Sequence, residues 1–130
     1  MTINGSASQL FRSGKGVKQG DPISPFLFIM VVEVLSLLIK RVASMNLIDG
    51  FKPIYNDSAC TINHFQFTDD IVVLLNDEVD QVLNLKNILL SFELISGLKV
   101  NFRKSAIVVV GNAQNAVECA ASFCCSLTSF

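Results

Sequence analysis

The sequence predicts an α/β fold, an antiparallel sheet with helices packed on one face, and three stretches predict it. From Pro25 the chain is almost wholly apolar, and its few polar residues recur every third or fourth position, the period of a helix. Residues 64–67 alternate apolar with polar, and Ile71 to Leu75 is apolar throughout, the patterns of a half-buried and a fully buried strand. Asp77 to Ser96 then returns to helical spacing.

Taken in order, Asn4-Gly5 is a strong hairpin-turn signal, so the chain opens as the tail of a hairpin. Gly16 to Pro25 holds two glycines besides two prolines and cannot be regular for long. It ends in Ser24-Pro25, an N-cap residue followed by proline at the first helical position. The helix predicted from there to about Ser44 carries Glu33, Ser36, Lys40 and Ser44 as one narrow polar stripe, so most of it is expected to lie inside. Pro53 limits the next segment to a turn or an edge strand. His64-Phe65-Gln66-Phe67 and Ile71 to Leu75 are the two arms of a tight reversal at Thr68-Asp69-Asp70. Acids at Asp77, Glu78 and Asp80 suit a helix N-terminus, and Ser96-Gly97 supplies its C-cap. Leu98–Phe102 and Ala106–Val110 are expected as short strands, and the tail from Asn112 leans helical.

With 130 residues the chain is one domain long. It is 51% apolar and 16% charged, below the roughly 25% of an average soluble domain, so little surface is left to charge. A net charge of −1 argues against a free-standing nucleic-acid binder, which usually carries a basic excess. The distribution matters more: Arg12, Lys15 and Lys18 form one basic cluster and Lys99, Arg103 and Lys104 another, each beside a glycine-containing loop. The four cysteines show no C-x-x-C spacing and the single His64 is remote from them, which predicts reduced thiols without disulfide partners. The first residues lack the apolar core of a signal peptide. The run Pro25–Ile39 is broken by Glu33 and is shorter than the roughly 18 residues of a membrane span, so no membrane partner is expected.

The chemistry centres on Asp69 and Asp70. Two adjacent carboxylates at a hairpin tip stay ionised at no cost only when exposed or when a cation lies between them. As hard oxygen donors they suit Mg2+ or Mn2+. By themselves they read better as a solvated turn. The loop Gly16-Val17-Lys18-Gln19-Gly20-Asp21-Pro22 puts flexible backbone, a cation and an amide ahead of a helix N-terminus, where phosphate can approach. It has no Walker spacing, and turn-making alone would explain its glycines as well. Lys104 is either an ordinary surface lysine or a group that neutralises or protonates a leaving phosphate.

GVKQGDPISPFLF, a helix with Glu33, HFQFTDD and SGLKVNFRKS, in that order, resemble the reverse transcriptase domain of non-LTR retrotransposons of the LINE type, most of all the plant versions. The similarity runs from about Asn4 to the end of the chain. It implies part of a polymerase palm that extends a DNA primer with dNTPs on an RNA template, using two divalent ions, Mg2+ or Mn2+. By this resemblance Asp69 and Asp70 are metal ligands and catalytic. Lys18, Gln19, Gly20, Pro22 and Ser24 touch template or nucleotide, and Lys104 is the proton donor to pyrophosphate. The family's habit places the chain inside the cell, in cytoplasm or nucleus.

Thr68 stands where the family commonly has alanine, and being small and strand-compatible it is expected to do little harm. The family's first catalytic aspartate lies on an upstream strand that no segment here matches, and most of the fingers and the thumb are expected to be missing. Two of three carboxylates remain, which predicts a fragment of a polymerase that is inactive by itself. The competing readings are a non-catalytic retroelement remnant and, last, a two-metal phosphohydrolase, which would need more His and Asp ligands than this chain offers.

Overall fold

In the computed structural model, residues 2–3, 6–7, 20–53 and 61–129 are described. The chain divides into two compact units, Met1–Met30 and Val31–Phe130. In the first, β1 (Thr2–Ile3) pairs antiparallel with β2 (Ser6–Ala7), with Ile3 opposite Ser6 across the two positions of Asn4-Gly5, which themselves lie outside the described residues. Helix α1 (Ser24–Ser44) begins here and continues into the second unit.

The second unit holds the core. Leu35 and Ile39 of α1, Ile48 after it, and Val82, Leu85, Ile88, Leu89 and Phe92 of α2 (Val79–Ser96) pack with Cys119 and Phe123 of α3 (Ala116–Phe123). Each such side chain, fully buried, contributes about 1.5–3 kcal/mol. The α2 positions fall at three- and four-residue steps, the stripe the sequence shows, and Gly97 ends the helix in the left-handed region, φ 74°, its N–H donating to the Glu93 carbonyl. The expectation that most of α1 lies inside does not hold. In this unit Val32, Leu35, Ser36 and Ile39 are buried, whereas Val34 and Leu37 are exposed. One apolar face joins the core through Leu35 and Ile39, and of the polar stripe Glu33, Lys40 and Ser44 are exposed while Ser36 is buried.

Among the described residues the strands form three separate pairs. β3 (His64–Phe67) and β4 (Asp70–Val73) make an antiparallel hairpin. β5 (Ala106–Val109) pairs with β6 (Ser126–Ser129) in parallel, so α3 is the crossover of a βαβ unit. The α/β class stands, while the sheet is divided and one pair is parallel rather than antiparallel. The strand expected at Leu98–Phe102 is absent for a local reason. The N–H of Val100 donates to Glu93 Oε1 at 2.5 Å and that of Leu98 to Ser96 Oγ at 3.1 Å, so the end of α2 takes the donors a ladder would need. The tail is helical only to Phe123, and its last residues are β6. Near Pro53 the only pairing described is an isolated bridge between Phe51 and Ile62. A Cβ on the adjacent Gly50 would collide with the Ile62 carbonyl, so glycine is what lets these backbones meet.

Candidate active site

The acidic pair occupies the end of the β3–β4 hairpin. His64 faces Val73, Phe65 faces Val72, Gln66 faces Ile71 and Phe67 faces Asp70, which leaves Thr68 and Asp69 as a two-residue loop. The first loop position of such a turn needs positive φ and is usually glycine. Thr68 adopts φ 52°, a conformation that a β-branched residue enters only under strain. The sequence-based expectation that threonine is strand-compatible here fails for its backbone, which lies in the loop and not in a strand. Its Oγ1 donates to Asp69 Oδ1 at 2.9 Å, which fixes that carboxylate relative to the turn.

Asp69 and Asp70 are both exposed. Among the described residues the ion pair within reach is Lys52 with Asp49, so no cation neutralises either aspartate. Paired strand residues share a face, so Asp70 lies with exposed Phe65, Phe67 and Val72, while His64, Gln66, Ile71 and Val73 form the opposite face. Ile71 and Val73 pack on the core from that side.

His64 also meets α1. Its Nε2 is 2.9 Å from Ser36 Oγ, the hydroxyl donating or accepting according to the ring tautomer. Burial lowers the histidine pKa, the Lys40 ammonium lowers it further, and the Glu33 carboxylate opposes both. Sequence reasoning weighed His64 only as a metal ligand and Ser36 only as part of a polar stripe. No signal in the sequence marks the pair, since His64 falls on the polar phase of its strand, out of step with Phe65 and Phe67, and Ser36 on the polar stripe of its helix.

The remaining candidates belong to both units. Lys18 and Gln19 lie outside the described residues. Gly20 has φ 86°, so the left-handed backbone that favours glycine is used there. Asp21 helps to organise the entry to α1. Its Oδ1 accepts from the Ile23 N–H at 3.0 Å and its carbonyl from the Ser24 N–H at 3.1 Å, with Pro22 inside the turn. Ser24 is the first residue of the helix. Gly20, Pro22 and Ser24 belong to the first unit, and Asp69, Asp70 and Lys104 to the second. Lys104 is exposed at the end of a turn built on Asn101, whose carbonyl accepts from the Lys104 N–H at 3.0 Å. No ion pair joins its ammonium to Asp69 or Asp70 among the described residues. A shallow depression beside it is lined by Lys99, Val100, Asn101, Phe102 and Arg103.

The donor set can be tested against a divalent ion. Carboxylate oxygens are the right kind of ligand, and Mg2+ is commonly held by one or two carboxylates completed by water and phosphate. Asp69 and Asp70 fit that minimal requirement. Among the described residues no group of three or more His, Cys, Asp or Glu is gathered around an ion site.

The family model for reverse transcriptase (RNA-dependent DNA polymerase) matches residues 1–120. The chain belongs to the reverse transcriptase family. Members of this family act on nucleic-acid templates and generally use divalent metal ions. The chain is also 43% identical over 68 residues to an uncharacterized mitochondrial protein of Arabidopsis thaliana, a match covering 52% of this chain and 54% of that protein. The chain thus spans about half the length of the curated relative it matches. No solved structure matches. Among the described residues no helix of this reverse transcriptase chain is long and apolar enough to cross a membrane.

Proposed function

We propose that the chain is the part of a non-LTR retrotransposon reverse transcriptase that carries the second carboxylate strand of the palm, and that it does not polymerise by itself. The observation that carries this reading is the pair Asp69 and Asp70, exposed at a hairpin tip and without a cationic partner among the described residues, in a chain of this family. In the complete enzyme Asp69 and Asp70 hold the divalent ions that a dNTP brings with it, and Asp69 is the better oriented because Thr68 Oγ1 donates to it. A bound divalent ion supplies charge neutralisation at the phosphorus under attack. Lys104, on its turn after Asn101, supplies a proton to the departing pyrophosphate. Lys18, Gln19, Gly20, Pro22 and Ser24 contact template and incoming nucleotide. RNA template, DNA primer and dNTP are the partners. Activity needs a third carboxylate from another strand, because two adjacent aspartates cannot bridge a pair of ions from two sides.

Two measurements test this. Titration with Mn2+, followed by its electron paramagnetic resonance signal, is expected to show weak binding that Asp69→Asn and Asp70→Asn each abolish. Binding that survives both substitutions refutes the metal assignment. Primer extension on an RNA template with the purified chain and Mg2+ is expected to give no product. Incorporation that Asp69→Ala removes would refute the dependence on a third carboxylate.

A further inference from the structure

We propose that Ser36 and His64 are a positioning pair that anchors the acidic hairpin to α1. This deepens the reading of Asp69 and Asp70 as metal ligands and rests on it. Ser36 is only 6% exposed, within a turn of buried Val32, Leu35 and Ile39. A hydroxyl placed there costs stability unless it is hydrogen-bonded, and the partner it has is His64 Nε2 at 2.9 Å.

His64 opens β3, the strand that leads to the Thr68-Asp69 loop. Of the side-chain hydrogen bonds that the strands and turn of this hairpin make among the described residues, only this one leaves the hairpin. Gln66 to the Thr68 carbonyl and Thr68 to Asp69 both close within it. Apolar support is one-sided as well, since Ile71 and Val73 reach the core while Phe65, Phe67 and Val72 stay exposed. A two-stranded ribbon is marginal in isolation, so the direction in which its tip points is set at its base. The Ser36–His64 contact fixes that base laterally, which greasy packing of two side chains does not.

Native-state hydrogen exchange tests the anchor without reference to metal. In Ser36→Ala, amides of residues 64–67 and 70–73 are expected to exchange about five-fold faster, the net worth of one hydrogen bond. Amides of Leu85 and Leu89 in α2 are expected to keep their wild-type rates. Ser36→Thr, which retains the hydroxyl, and His64→Gln, which retains a nitrogen at similar reach, are expected to stay close to wild type. His64→Leu is the second disruption if Ser36→Ala does not fold. Hairpin exchange unchanged in the disrupting variant, or accelerated equally in α2, overturns the anchor. Mn2+ affinity gives the positioning readout: it is expected to fall in the disrupting variant and recover in the conservative ones. Faster hairpin exchange with wild-type Mn2+ affinity overturns the positioning role. If Asp69→Asn leaves Mn2+ binding intact, the metal reading fails, and the exchange result still decides the anchor.

Discussion

Gln81 is the side chain whose replacement should be felt most widely in the second unit. It is 6% exposed, its Oε1 accepts from the Asp49 N–H at 2.9 Å and the Asn76 N–H at 3.4 Å, and its Nε2 donates to Glu78 Oε2 at 3.0 Å. One amide thereby ties the loop after α1, the segment after β4 and the residue before α2. In Gln81→Leu the half-buried Asp49 N–H loses its acceptor, at a cost of about 1–3 kcal/mol. Asn76 and Glu78 are exposed, so water takes over most of their share. The added apolar surface recovers under about 1 kcal/mol, which leaves a net loss near 2 kcal/mol. The assay is urea denaturation, with the midpoint falling and the slope unchanged. Gln81→Glu separates the parts, because it keeps the acceptor and sets a second carboxylate against Glu78. Its own pKa is then raised, so its stability is greatest in acid and declines as pH rises, whereas the deficit of Gln81→Leu does not depend on pH. A Gln81→Leu variant within about 0.5 kcal/mol of wild type, the range of ordinary surface substitutions, would refute the reasoning.

Thr68→Asn is expected to stabilise the chain by about 1 kcal/mol, since asparagine tolerates the positive φ that threonine holds under strain, and a higher urea midpoint is the check. Asp77→Ala is expected to cost about 1–2 kcal/mol, because Asp77 Oδ2 accepts from the Gln114 and Asn115 N–H groups and so holds the segment that enters α3; a lower urea midpoint is the check. His64 has a folded pKa below the ordinary 6.5, so its contribution is complete above that value and is lost as pH falls through the lowered one. Urea midpoints measured from neutral pH into mild acid should show that loss in the wild type and not in His64→Gln.

What the sequence reveals is governed by range. The α2 stripe, the Gly97 cap and the β3–β4 reversal are each written within a few neighbouring residues, and each is where the pattern puts it. The parallel pairing of Ala106 with Ser126 is not local, and Ser126 to Ser129 carries no alternating apolar signal, so the tail reads as helix to its end. Leu98–Phe102 fails in the opposite way. Its pattern suits a strand, but Glu93 and Ser96, a turn or two earlier, capture its donors. In the candidate site the aspartates are legible because two like charges in sequence demand an explanation. The histidine behind them is not, because its partner Ser36 is twenty-eight positions away and looks like surface.

The crossover joining β5 to β6 also sets an order of assembly. The β3–β4 hairpin closes a two-residue loop, and α2 needs only its own neighbours, so both can form early. The register of β5 with β6 joins residues twenty positions apart, and the chain between them must first become α3. Helix α3 in turn leans on side chains far behind it in the chain, the Asp77 carboxylate at its start and, at its end, the Lys86 ammonium, 2.8 Å from the Ser122 carbonyl. During synthesis, the segment from Ala106 to Val109 therefore waits, apolar and unpaired, until Ser126 to Ser129 emerge. That interval is when this chain is most open to pairing with another copy of itself.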